Sequence, residues 1–85
     1  GGSPMKILIA DDEQALLNFL ERGLRAEGYE CIATNQLHEV SVLAQKNKPS
    51  LIILDRLFAD DDSIKEIQNI RQKVPHATLV SGWQD

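Results

Sequence analysis

The sequence predicts an α/β fold: a parallel β-sheet with helices on both faces, doubly wound. Three observations carry the prediction. Leu51-Ile52-Ile53-Leu54 is an unbroken aliphatic run that stops at Asp55. Ile7-Leu8-Ile9-Ala10 stops in the same way at Asp11-Asp12. Short apolar runs without polar alternation read as strands buried on both faces, the environment of a parallel sheet. The stretches between the runs place apolar residues at the three- and four-residue spacing of helices.

Taken in order, Lys6 to Ala10 is the first strand, and a helix follows to about Glu27. Leu16, Phe19, Leu20 and Leu24 give that helix its apolar face, with Asp12 as N-cap and Gly28 as the C-terminal stop. Tyr29 to Ala33 suits a second strand, closed by Thr34-Asn35. Leu37, Val40, Leu43 and Ala44 mark a shorter helix ending near Asn47, after which Pro49 demands extended chain. Beyond Asp55 a loop runs from Arg56 to Asp62, and Ser63 with Glu66 forms a capping box for a third helix. Ile64, Ile67, Ile70 and Val74 stripe that helix, Pro75 closes it, and Ala77 to Ser81 is a fourth strand.

Strands that alternate with helices pair in parallel through right-handed crossovers. With the two most apolar strands in the middle, the four strands take the order 2-1-3-4. Asp11, Asp12 and Asp55 then converge on the carboxyl edge of the sheet, where open α/β folds bind ligands. Three crowded carboxylates repel one another, and a hard divalent cation relieves the repulsion. Mg²⁺ accepts a few carboxylates and a backbone carbonyl and keeps several waters. A carboxylate beside such an ion can attack phosphorus and form an acyl phosphate.

Composition narrows the alternatives. The chain has 85 residues, enough for one domain, with Gly1-Gly2-Ser3-Pro4 before Met5 reading as a cloning scar (1–4) and the domain itself at 5–85. A net charge of −4 argues against direct contact with nucleic acid. No apolar run approaches a membrane span, and with no leader before Met5 and the single Cys31 the expectation is a cytoplasmic protein. Cys31 reads as a small buried strand residue, and His38 and His76 lack partners at metal-ligand spacing. Trp83 is read as a packing residue.

Lys6-Ile7-Leu8-Ile9-Ala10-Asp11-Asp12-Glu13, Lys48-Pro49-Ser50-Leu51-Ile52-Ile53-Leu54-Asp55, and Ile70-Arg71 with Pro75 and Leu79-Val80-Ser81-Gly82 together resemble the receiver domain of two-component response regulators. The resemblance runs from Met5 to about Gly82. It implies a flavodoxin-like sheet and a phosphoacceptor signalling domain rather than an enzyme, with only self-phosphorylation and dephosphorylation chemistry. Asp55 would take a phosphoryl group from a sensor histidine kinase. Asp12 would ligate Mg²⁺ directly, Asp11 largely through water, and Asp55 and the backbone carbonyl of Leu57 would complete the protein ligands. Ser81 would be the switch hydroxyl, and an output domain or partner protein would read the switch.

The chain departs from the family pattern at Arg56, at Ala59, where proline is usual, and at Ser63, where glycine is usual. The family's fifth strand, its lysine, its aromatic switch residue and its last helices have no counterpart in the 85 residues. The fourth strand is therefore expected to be an exposed edge, open to a homodimer or a swapped dimer. These departures motivate an alternative that ranks behind the phosphoacceptor reading, a receiver that acts as a phosphorylation-independent binding or dimerisation module. A third reading, a phosphohydrolase with an aspartyl nucleophile, expects a second Asp where Leu57 stands.

Overall fold

The computed structural model describes the backbone of residues 4–54 and 61–81, and the side chains of 4–54 and 65–80. Four strands form one sheet: β1 (Lys6–Ala10), β2 (Glu30–Thr34), β3 (Leu51–Leu54) and β4 (Thr78–Ser81). Their order is β2-β1-β3-β4 and every pairing is parallel, as expected from the two apolar runs at the centre. The helices are α1 (Gln14–Ala26), α2 (Val40–Asn47) and α3 (Asp61–Lys73), and a 3-10 turn at Leu37–Glu39 leads into α2.

Alternation along the strands divides the core in two. Leu8, Ala10, Ile52 and Leu54 point to one face, where they pack with Val40 and Ala44 of α2 and Ile70 of α3. Ile7 and Ile9 point to the other face, where they meet Leu17 of α1 and Cys31 of β2. Leu8 and Ile52 are fully buried. Burial of an aliphatic side chain of this size is worth about 1.5–3 kcal/mol, so this central pair supplies much of the cohesion of a small domain. The α1 face is less completely covered. Leu51 and Ile53 are only half-buried there, and Val80 of the edge strand β4 is exposed.

Helix α1 is rotated relative to the face expected from its sequence. Leu17 is its buried residue, Leu20 and Leu24 pack beside it, and Phe19 is 73% exposed. At 3.6 residues per turn, Phe19 lies roughly 200° around the helix from Leu17. Both leucine and phenylalanine positions fit a helical period, and only contact with the sheet selects between them. The N-cap is Glu13 with extended backbone, one residue later than the expected Asp12, and no side chain caps the helix.

The C-terminus of α1 ends as expected at Gly28. Its φ of 95° is strained for any residue with a Cβ, and the Gly28 N–H donates to Arg25 O while the Tyr29 N–H donates to Leu24 O. Helix α2 ends differently. Lys48 adopts φ 52° and ψ 56°, and its N–H donates to Ala44 O at 2.8 Å. Extended backbone is the usual state before proline, yet closing the helix in the left-handed region prevails at Lys48.

Helix α3 begins at Asp61, so Ser63 lies inside the helix rather than at its N-cap as expected, and its side chain is outside the described residues. Glu66 Oε1 is buried and meets no hydrogen-bond partner among the described residues. Ile70 is buried, Ile67 and Val74 pack beside it, and the side chain of Ile64 lies outside the described residues.

Candidate functional site

The pairing registers place four residues in one row across the carboxyl ends of the strands. Ala10 is opposite Thr34 on one side and Leu54 on the other, and Leu54 is opposite Ser81. Each expected site residue therefore either belongs to this row or follows one of its members in the chain. Asp11 and Asp12 follow Ala10, and Ser81 ends β4. Asp55 follows Leu54, but Asp55 itself and Leu57 lie outside the described residues, as do Arg56 and Ala59. Gly82 and Trp83 also lie outside them.

The adjacent acids have different surroundings. Asp11 is 2% exposed, whereas Asp12 is exposed at the rim. Asp11 is held by its backbone on both sides: its N–H donates to Thr34 O at 3.1 Å, and its Oδ1 accepts the Glu13 N–H at 2.8 Å. A buried carboxylate is tolerated where hydrogen bonds satisfy its oxygens. The turn that places Asp11 also starts α1, which explains why the helix start slips to Glu13.

A polar network beside Asp11 was not foreseen from the sequence. The buried hydroxyl of Thr34 donates to Glu39 Oε1 at 2.8 Å and accepts the Gln36 N–H at 3.1 Å. Asn35 Nδ2 donates to Gln14 Oε1 at 3.2 Å and ties the β2 turn to the first turn of α1. Since Thr34 O receives the Asp11 N–H, Thr34 and Glu39 are positioning residues for the acid. The only signal in the sequence is a hydroxyl residue at a strand end with a carboxylate five positions later, a common arrangement.

Among the described residues no group of three histidine, cysteine or acidic side chains is arranged to hold a metal ion. The pair that is described, one buried carboxylate and one exposed carboxylate on consecutive residues, is an all-oxygen donor set of the kind a hard cation takes. Neither His38 nor His76 belongs to such a group among the described residues. Cys31 is buried and unpaired, and burial pushes its thiol above the ordinary range. The charge of Glu21 adds to that rise and Arg25 offsets part of it.

The family model for the response regulator receiver domain matches residues 7–83. The chain belongs to this family. It is a receiver domain of two-component response regulators. It is 34% identical over 68 residues to the alkaline phosphatase synthesis transcriptional regulatory protein PhoP of Bacillus subtilis, covering 80% of this chain and 28% of that protein. It is 38% identical over 66 residues to the KDP operon transcriptional regulatory protein KdpE of Escherichia coli, covering 78% of this chain and 29% of that protein. The chain thus spans under a third of the length of these relatives.

The fold is also that of a Burkholderia pseudomallei response regulator solved with a phosphorylated aspartic acid, calcium ion and citrate. The TM-score is 0.81 at 23% identity, covering 95% of this chain and 48% of that one. Among the described residues no helix is long and apolar enough to cross a membrane.

Proposed function

We propose that Asp55 of this receiver domain is the phosphoacceptor and that Asp11, Asp12 and the Leu57 carbonyl, with Asp55, bind Mg²⁺ beside it. The observation that carries the reading is the row Ala10–Leu54–Ser81, which brings the strand ends bearing these residues to one edge. When bound, Mg²⁺ would neutralise charge on the phosphoryl oxygens as they approach the carboxylates.

The chain's own residues do the rest. A carboxylate oxygen of Asp55 attacks phosphorus in line, the bond from phosphorus to the donor breaks, and an acyl phosphate remains on Asp55. Asp11, fixed by Thr34 O and the Glu13 N–H, keeps its position without moving side chains, so little reorganisation is needed. Ser81 would supply the hydroxyl that reports the new phosphoryl group to the rest of the protein, a local hydrogen bond that biases a two-state element.

The phosphoryl donor in this reading is a sensor histidine kinase and the reader is an output domain or partner protein. The transcriptional regulators among the relatives suggest that the output acts in transcription. The single buried cysteine fits a reducing, cytoplasmic setting.

Incubation with acetyl phosphate and Mg²⁺ tests the assignment by intact mass. One added phosphoryl group is expected, and Asp55→Asn should abolish it. Incorporation that persists in Asp55→Asn, or no incorporation at saturating donor and Mg²⁺, overturns it.

A further inference from the structure

We propose that the amino-terminal edge of the sheet, at the far end of the strands from Asp11, is a docking track for an extended acidic segment of a partner protein that also carries apolar side chains. Two hollows lie there, of about 410 Å³ and about 370 Å³, and they share one apolar wall made by Val74, Pro75 and Ala77. Lys48, Lys73 and His76 line the first, and Arg71 and Leu79 line the second. Among the described residues no carboxylate lines either hollow.

Charge segregation makes this edge unusual for the chain. Acidic residues outnumber basic ones by 13 to 9, yet the charged side chains that line these hollows among the described residues are all basic. The ion pairs among the described residues lie outside the two hollows, Lys6 with Glu30 at the start of β1 and β2, and Arg25 with Glu21 on α1. Lys48, Arg71 and Lys73 therefore face solvent with their charge unmatched by any described carboxylate. A simpler role exists for them, since α2 and α3 both end here and cations suit the negative end of a helix dipole. Dipole compensation needs no apolar wall, however, and no pair of hollows joined along it.

The geometry also selects the ligand class. A small anion would need cations converging on one point. Here Lys48 and Lys73 line one hollow and Arg71 the adjoining one, so the cations are spread along the shared apolar wall. An extended peptide fits better, placing its carboxylates against Lys48, Lys73 and Arg71 and its apolar side chains against Val74, Pro75 and Ala77. Such an edge contact draws its specificity and its association rate from charge complementarity. The inference is independent of Asp55 and of its phosphorylation.

Titration of the chain with a fluorescein-labelled glutamate-rich peptide carrying leucine at every third position tests the track, read by anisotropy and by amide shifts. Binding should move the amides of Lys48, Lys73 and Ala77. The double variant K48E/K73E should weaken binding about tenfold, with Arg22→Glu on α1 within about twofold of the parent. A hexaglutamate probe should bind several-fold more weakly, since it leaves the apolar wall unused. Should the double variant not fold, Lys73→Gln still decides the matter, with a loss of about threefold expected. Shifts confined to other surfaces, equal affinity in the charge variants, equal binding of hexaglutamate, or displacement of the peptide by millimolar inorganic phosphate would each overturn the proposal.

Discussion

Replacing Asp11 separates what its carboxylate does for the fold from what it does for a cation. Asp11→Asn keeps a side-chain oxygen to accept the Glu13 N–H, while Asp11→Ala removes it. Leaving a partly buried donor unpaired costs about 1–3 kcal/mol, so the alanine variant should be less stable than the asparagine variant by about that amount. The charge acts in the opposite sense. At 2% exposure the carboxylate has lost almost all its water, and desolvation to that degree penalises the charged form by several kcal/mol. Removing the charge should therefore stabilise the metal-free domain by about 1 kcal/mol, which is about 4–8 °C in Tm at this size.

Mg²⁺ should reverse the order of these proteins. Bound at a hundred times its Kd, an ion stabilises the native state by about 2.7 kcal/mol. The parent should gain this and Asp11→Asn should not. Thermal unfolding followed by circular dichroism, in EDTA and in saturating Mg²⁺, reads both effects. An asparagine variant less stable than the parent in EDTA would refute the desolvation reasoning. An equal Mg²⁺-induced rise in both proteins would refute the ligand role of Asp11.

Three further outcomes are expected. Lys48→Gly should stabilise the domain by about 0.5–1 kcal/mol in urea titration, because glycine takes φ 52° without strain, and should at the same time weaken binding of the acidic peptide. Ile52→Ala should cost about 2–5 kcal/mol and Ile52→Val about 0.5–1.5, since Ile52 is fully buried between β1 and β4; equal effects would mean that the site collapses around the loss. The raised thiol of Cys31 keeps its proton in the folded state at pH values where the unfolded chain has released it. Its contribution to stability is thus complete below the ordinary thiol value of about 8.5 and declines as pH rises from there toward the folded value. Cys31→Ala should flatten that alkaline decline in urea titrations across about pH 8 to 10, and parallel curves for the two proteins would contradict the assignment.

Local pattern alone determined the elements that carry the fold of this protein. Aliphatic runs at Ile7–Ala10 and Leu51–Leu54 specify buried parallel strands because only such strands have two apolar faces, and the acids that end them mark the edge where a site can form. Helical spacing and Gly28 likewise bounded α1 at its C-terminus, since the left-handed stop depends on one residue's own sterics. What lay beyond the sequence depended on contact between distant segments. Leu17 is buried and Phe19 is not because of how α1 rests on β1 and β2, a choice that a helical period leaves open. Asp11 is buried and Asp12 exposed because a bond to Thr34, from another strand, turns the chain between them. The basic lining near Val74 and Pro75 gathers residues from two separate helix ends, so its charge is diluted along the sequence and concentrated only in the folded domain.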